Sequence, residues 1–340
     1  MPSTGDARRM AVVVAGASAG GVAALTAFVG GLPVDLPAAV LVVMHLPEGG
    51  QSELAQILDR SGPLAAATAR DGEPIRSGRV YVAANNRHLL VKRDHVLLSR
   101  APKQNRARPS IDSLFRSAAR WYGSHVVGVV LSGSLDDGAS GLAAIASLGG
   151  AAVVQEPREA SVSGMPRSAL AVVPQAVVSP AARIGAVVTA LLERRAEAPG
   201  EPPGFDLIRE TEMLETPRSS GHGPVPGEPV ALSCPDCSGG LSAIQTGPAT
   251  HYLCHVGHSW SPRALAAAQQ EKVEQAIWMA ISMLEEPAAV FRRLAERAVG
   301  PDGALTVRHQ LAAADEAMRA AGVIRKNFPE LLPDAGAGTA

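Results

Sequence analysis

VVVAGASAGG, residues 12–21, is the stretch on which the reading of this chain turns. The apolar run Met10–Ala15 has the length and composition of a strand buried on both faces. From Gly20 the sequence GGVAAL reads as the first turns of a helix. Ser18 sits in the turn between them, flanked by glycines. A serine so placed has a hydroxyl free to attack and backbone N–H groups close enough to hold an oxyanion. The motif is also close to a dinucleotide fingerprint, but Ser18 replaces the middle glycine that lets a pyrophosphate approach the backbone. The second strand then runs into His45 instead of an acidic residue. GASAG fits the esterase elbow G-x-S-x-G as well, although residue 18 comes too early for that fold, whose elbow follows several strands. On the motif alone, a structural glycine-rich turn and a nucleophile remain equally open.

Working outward, Ala38–Met44 is a second apolar run, and it ends at His45. A helix expected over about Val22–Val29 joins the two runs. A β-α-β unit makes its strands parallel, so Ser18 and His45 are expected at the same carboxyl edge, where open α/β sheets bind ligands. Val126–Leu131 is a third such run, followed by SGSLDDGA (132–139) and a helix from about Ser140 to Ser147. Asp137 in that loop fits an ordinary helix cap. It also fits a carboxylate that orients an imidazole and stabilises its protonated form. Three triad-type residues at three strand ends are a rarer coincidence than any one of them.

Residues 10 to about 194 resemble the catalytic domain of chemotaxis-type protein-glutamate methylesterases, the CheB family. The resemblance rests on GASAGG (16–21), VVMHLP (42–47), RPSIDSLFRSAA (108–119), LSGSLDDGASG (131–141) and QEPREASVSGMP (155–166), in the family's order. It implies Ser18 as nucleophile, His45 as base and Asp137 as the residue that orients it. The oxyanion donors are expected near Ala19 and Gly20 and in the loop around Ser134. The implied reaction is hydrolysis of glutamyl methyl esters to glutamate and methanol on the cytoplasmic helices of methylated chemoreceptors. Deamidation of receptor glutamines is a second implied activity. Other chemosensory signalling proteins are implied as further partners, and no cofactor is expected for catalysis. The chain departs from the family pattern at Ala19, where threonine is frequent, at Ser134 and Leu135, where Met and Gly are usual, and at Ala84-Asn85-Asn86 ahead of His88. These changes touch the oxyanion loop and substrate rim and bear on rate and preference. The family's regulated members carry an N-terminal receiver domain; with the first strand at Met10, none is expected here.

Composition fits this reading. The chain has 340 residues, is 46% hydrophobic and 3% aromatic, and carries a net charge of −1. That charge gives no field for nucleic acid. No run reaches the roughly 18 apolar residues a membrane helix needs, and the N-terminus lacks a secretory pattern. A cytoplasmic protein without membrane insertion is expected. The fold class expected is α/β: a doubly wound, mainly parallel sheet, with an antiparallel edge hairpin from the short strands around Arg79–Ala83, His88–Lys92 and His95–Ser99. Ala101–Pro109, with Lys103, Arg106 and Arg108, reads as a solvated loop or as a contact to an acidic helical substrate.

The domain plan expected is a tail over 1–9, a catalytic domain over 10–196 and a Pro/Gly-rich linker over 197–229. A small zinc-type segment over 230–261, a helical tail over 262–330 and a disordered end over 331–340 follow. Cys234-x2-Cys237 and Cys254-x3-His258 have zinc spacing, and these are the only cysteines. His255 competes for the fourth place, but its adjacency to Cys254 would strain two bonds to one ion. Four protein ligands make such a site structural. The segment is expected to need the ion to fold and to leave the esterase largely active when stripped of it. Two other classes compete with a hydrolase: a nucleotide-binding module on the same sheet, and a catalytically idle adaptor.

Overall fold

The computed structural model of the protein describes residues 10–45, 52–194, 202–216, 224–297 and 303–329. The expected tails over 1–9 and 331–340 lie outside the described residues. The chain divides into two compact units, Met1–Leu265 and Ala266–Ala340.

The first unit opens with β1 (Ala11–Ala17), α1 (Gly21–Gly30), β2 (Ala38–Met44), α2 (Leu54–Ser61), β3 (Ala65–Thr68) and β4 (Arg79–Val82). The hairpin β5 (His88–Lys92) and β6 (His95–Ser99) leads to α3 (Ile111–Tyr122). β7 (Val126–Val130), α4 (Ala139–Ser147), β8 (Ala151–Gln155), α5 (Gly164–Val172), β9 (Val177–Ser179) and α6 (Ala181–Glu193) follow. The unit continues with α7 (Phe205–Glu215), β10 (Glu228–Ser233), β11 (Gly240–Thr246), β12 (Ala249–Cys254) and β13 (Ser259–Trp260).

Seven strands form a parallel sheet in the order β3-β4-β2-β1-β7-β8-β9. Side chains alternate across a strand, and here each face is covered. Val12 and Val14 join Ile111, Phe115, Leu142 and Ile145 from α3 and α4. Val13 and Ala15 join Leu25, Phe28, Leu58, Ile184 and Val188 from α1, α2 and α6. Burial on both sides is why these strands read as continuous apolar runs without alternation. β1 has β2 on one flank and β7 on the other, so the strand order reverses there. The loops beyond the carboxyl ends of β1, β2 and β7 therefore meet at the switch point where such sheets hold ligands.

Four expectations need correction. Arg79–Val82 is not part of an antiparallel edge; it pairs in parallel with β2 and with β3, a strand of sequence AAAT that lacks a strand signal. The hairpin β5–β6 forms with the antiparallel pairing expected, but as a separate two-stranded sheet instead of at the edge of the main one, and Leu89, Val91 and Val96 feed the core beside α3. The segment 197–229 is no bare linker, because it contains α7, which buries Glu210, Thr211, Met213 and Leu214. The segment 230–261 is not set apart from the catalytic domain; it belongs to the same compact unit, with β10–β13 as an antiparallel four-stranded sheet.

The second unit holds most of α8 (Pro262–Arg297) and all of α9 (Gly303–Asn327). Glu285 pairs with Arg325 at 2.9 Å and Arg292 with Asp315 at 3.7 Å, so the helices run antiparallel. The guanidinium of Arg325 lies 5.6 Å from the Trp278 ring. Pro287 lies inside α8 and does not end it.

Candidate active site and the Cys/His cluster

Sheet register sets the site. Ala17 is paired with Met44, so Ser18 and His45 leave adjacent strands side by side. The His45 N–H donates to the Ala17 carbonyl at 3.1 Å, and the Ser18 N–H donates to the Ser132 carbonyl at 2.9 Å. The ends of β2, β1 and β7 are thus tied together across the nucleophile turn. Gly20, at φ +73°, turns the chain into α1. A Cβ there would lie 2.6 Å from that of Ser161, so a glycine is required on both counts. Gly133 passes so close that a Cβ would sit 2.0 Å from Met165 Sδ and 2.9 Å from Ser18 Cβ. Ser132 Oγ donates to the Ala19 carbonyl at 2.8 Å and accepts the Val162 N–H at 3.0 Å.

The Gly133 N–H is used by the Val162 carbonyl. Among the described residues, the backbone N–H groups of Ala19, Gly20 and Ser134 donate to no backbone carbonyl. These are the donors the sequence nominated. Leu135 beside them has φ +61° and is 49% exposed. A branched side chain in the left-handed region is strained, and it stands on the rim of the nucleophile turn.

Imidazole and carboxylate meet as expected. His45 Nε2 lies 2.7 Å from Asp137 Oδ2, with the aspartate buried and the ring partly open to solvent. Asp137 Oδ2 also accepts the Ile111 N–H at 2.8 Å. Its Oδ1 accepts from the Asp112 N–H, Ser110 Oγ and Asn105 Nδ2, at 3.1, 3.1 and 3.0 Å. The carboxylate therefore faces the N-terminus of α3, where free N–H groups and the helix dipole favour an anion. Burial by itself would raise its pKa; the bonds from His45, Ile111 and Asn105 outweigh this and hold it below the usual carboxylate range.

Asp112 returns the arrangement. From the first turn of α3 its Oδ1 accepts the Gly138 and Gly141 N–H groups at the start of α4, at 3.0 and 2.6 Å. Each of these helices is capped by an aspartate from the other's N-terminal region. Burial pushes the Asp112 carboxyl up to about 7, opposed by Arg116 and reinforced by the charge of Asp137. Behind them His88 is fully buried. It donates from Nε2 to the Pro102 carbonyl at 3.0 Å, and its Nδ1 accepts the Ser110 N–H at 3.3 Å. Asp112 and Ser110 lie inside RPSIDSLFRSAA, a match that signalled their importance without a role. Nothing in the sequence marks Asn105.

The Cys/His cluster also assembles. The ligand atoms of Cys234, Cys237, Cys254 and His258 all lie within 4.8 Å of one another. His255 is not in this group; its ring packs on Gly239. Three thiols and an imidazole closing on one point are the donor set and spacing of tetrahedral zinc. The Trp260 Nε1–H and the His258 N–H point at sulfurs of Cys234 and Cys254, at 3.4 and 3.3 Å, the outer contacts that orient such ligands.

The cluster's sheet docks on the catalytic layer through buried polar groups. Glu210 Oε1 of α7 lies 3.2 Å from Arg116 Nε and 2.8 Å from His251 Nε2 of β12. His251 Nδ1 meets Ser140 Oγ of α4 at 3.1 Å. The loop expected to be solvated takes part. Gln104 is buried, donates to the Gly257 carbonyl at 2.7 Å and accepts from Arg116 at 3.1 Å. Arg108, half-buried, donates to Oδ1 of the exposed Asn86 and to the Ala101 carbonyl.

A protein-glutamate methylesterase/protein-glutamine glutaminase 2 from Anaeromyxobacter dehalogenans is 44% identical over 164 residues, 48% of each chain. Its namesake from Caulobacter vibrioides is 39% identical over 170 residues, covering 48% of this chain and 49% of that protein. The chain thus spans about half the length of the curated relatives it matches. The crystal structure of the Thermotoga maritima CheB methylesterase catalytic domain superposes with a TM-score of 0.51 at 32% identity, covering 54% of this chain and 99% of that one. No helix among the described residues is long and apolar enough to cross a membrane. The CheB methylesterase family model matches residues 13–188, just over half of the chain, and the protein belongs to that family.

Proposed function

We propose that the chain is a serine esterase that hydrolyses γ-glutamyl methyl esters on proteins, with Ser18 as nucleophile, His45 as general base and Asp137 as its partner. The observation that carries the reading is the 2.7 Å contact from His45 Nε2 to the buried Asp137, one strand over from Ser18. With Nε2–H donated to the carboxylate, Nδ1 is the ring nitrogen left to accept the serine proton. Ser18 Oγ adds to the ester carbonyl as that proton passes to His45. The tetrahedral oxyanion takes hydrogen bonds from N–H groups of Ala19, Gly20 and Ser134, a contribution of about 3–4 kcal/mol per donor in comparable sites. The C–O bond to methoxide then breaks, and methanol leaves with the imidazolium proton. Water, deprotonated by His45, attacks the acyl-serine and releases glutamate and the free hydroxyl. Asp137 stays ionised throughout and stabilises the imidazolium.

The names of the relatives extend the reading to protein glutamine, where ammonia replaces methanol as leaving group. The substrates proposed are methylated cytoplasmic helices of chemoreceptors, in a chemosensory setting in the cytoplasm. Labelling of the purified chain by a fluorophosphonate, with Ser18→Ala as control, and methanol release from methylated receptor test the assignment. Methanol release from Ser18→Ala at the wild-type rate overturns it.

We further propose that Cys234, Cys237, Cys254 and His258 hold one structural zinc ion, which leaves no position open for chemistry. Elemental analysis of protein purified without chelator is expected to give one zinc per chain. Absence of zinc, or Cys234→Ser/Cys237→Ser with unchanged protease resistance over 230–260, overturns this.

A further inference from the structure

The triad aspartate is reached from a second direction, by a chain of contacts that starts beside the Cys/His cluster. β13 begins at the residue after His258. The Ser259 carbonyl accepts the Asn105 N–H at 2.8 Å, and Gln104 bridges to Ser259 as a strand would. Two residues further on, the Ser261 N–H donates to Asn105 Oδ1 at 2.7 Å. That bond settles which end of the amide is which, because only the oxygen can accept an N–H. The Nδ2 end therefore faces the carboxylates, donating to Asp137 Oδ1 and Asp112 Oδ2 at 3.0 Å each. Both of its hydrogens are committed to the two buried aspartates. Asn105 holds φ +49° and Arg106 φ +66°, a turn that aims the side chain. Asparagine tolerates this backbone better than most residues. Ser261 also acts directly: its Oγ donates to Asp136 Oδ1 at 2.6 Å and accepts the Ala264 N–H at 3.0 Å.

We infer that Asn105 is a positioning residue for Asp137, and that the segment carrying the Cys/His cluster sets the position of Asn105. On this view residues 228–261 are a working part of the esterase site, not an appendage. The inference rests on the reading of Asp137 as the partner of His45. Its physical content is the spacing of two buried carboxyl groups. Asp112 and Asp137 lie side by side in a buried site, and an amide that donates to both fixes their geometry. It keeps Oδ2 of Asp137 free for His45 and Ile111. Without that donor, the carboxylate has fewer bonds holding it to one rotamer. The imidazole then spends less of its time oriented for proton transfer. The expectation that the esterase is indifferent to the Cys/His segment is replaced by coupling between them.

Asn105→Asp separates a positioning role from a structural one. It keeps the side-chain shape, the left-handed backbone preference and the acceptor for the Ser261 N–H, and it loses both donors to the aspartates. Asn105→Gly keeps the backbone and serves where the added charge prevents folding. The measurements, on the full chain, are kcat and KM for methanol release, the rate of fluorophosphonate labelling at Ser18, and the melting temperature. Either variant is expected to lower kcat and the labelling rate at least tenfold while KM changes less than twofold. Wild-type kcat in a folded Asn105→Asp or Asn105→Gly overturns the inference, as does a loss confined to KM. Coupling to the segment is read by Cys234→Ser/Cys237→Ser, alone and combined with Asn105→Gly. The cysteine variant is expected to lower kcat to a similar extent, and the combination to be scarcely worse than either. Residues acting through one another are non-additive in this way. Full activity in the cysteine variant, or losses that multiply, overturns the coupling. A failure of the triad reading is distinguishable, because Ser18→Ala and Asp137→Asn would then stay active whatever Asn105 does.

Discussion

At the scale of single residues, two of the three groups at strand ends were legible because a strand buried on both faces writes its own endpoint. Where VVVAGA stops and where AVLVVM stops, the next polar residue is Ser18 or His45, and register does the rest. Asp137 was marked differently, since the first polar residue after the third apolar run is Ser132; its place ahead of a helix and the match at 131–141 singled it out. Asn105, Ser110 and Asp112 were not legible, since the contacts that give them a role reach as far as 156 positions along the chain and no local period encodes a polar contact at that range. The proposed triad predicts its own behaviour under substitution. In Asp137→Asn the amide nitrogen or oxygen faces His45 Nε2, and the three donors at the Oδ1 position, against the Ile111 N–H alone beside His45, favour placing the amide oxygen toward them. That turns an N–H toward Nε2 and forces the ring proton onto Nδ1, where the base should be. Activity is expected to fall on the order of 10⁴-fold, by analogy with serine proteases. Ser18→Ala/His45→Ala should be hardly worse than either single change, because triad members act as a unit. Methanol release measured across the three variants checks both statements. Multiplicative losses from Ser18 and His45 would show that they do not share one step.

At the scale of elements, helices α3 and α4 start against each other, and the site is built from those starts. The reciprocal aspartate caps were invisible in sequence, where Asp137 alone fitted an ordinary helix cap. β3 was missed because AAAT has no β-branched or aromatic signal before its last residue. α7 was missed because FDLIRETEMLE lies among prolines and glycines and buries polar Glu210 and Thr211 together with Met213 and Leu214. His88 gives the α3 start a pH signature. Burial pushes its pKa down from 6.5 to about 4, with the Pro102 carbonyl pulling upward and Arg108 adding to the fall. The unfolded chain therefore binds more protons at this residue between those two values. The contribution of His88 is fully present above pH 6.5 and is lost as pH falls toward 4, by about 3 kcal/mol in all. Asp112, raised by burial to about 7, works in the opposite sense over much of the same window. The comparison that isolates His88 is thus wild type against His88→Gln, in denaturant titrations at pH 7 and pH 5. The wild type should lose more stability between the two pH values than the variant; equal losses would show that His88 is not held neutral in the fold.

At the scale of the whole molecule, cysteine spacing announced a zinc-type segment, yet nothing in the sequence announced that it forms a sheet or that this sheet packs on the catalytic layer. Its attachment is polar and buried: Arg116 of α3, Glu210 of α7, His251 of β12 and Ser140 of α4 share one network. Burial by itself would raise the Glu210 pKa, but Arg116 and His251 hold it below the ordinary value, so the carboxylate is ionised when folded. Such a pair is weak as a net source of stability, because desolvation offsets much of the attraction. Breaking it is costly all the same, because the surviving charge stays buried without its partner. Glu210→Gln leaves the Arg116 guanidinium, 1% exposed, facing a neutral amide. The expected cost is about 3–5 kcal/mol, which for a unit of this size lowers the melting temperature by roughly 6–20 °C. The network joins both layers, so they should weaken together. Hydrogen exchange in Glu210→Gln is expected to quicken in β11 and β12 and also at the starts of α3 and α4, in one cooperative opening. Faster exchange confined to β10–β13, with α3 and α4 as protected as in the wild type, would mean that the C-terminal sheet opens by itself and that the buried network does not bind the two into one folding unit.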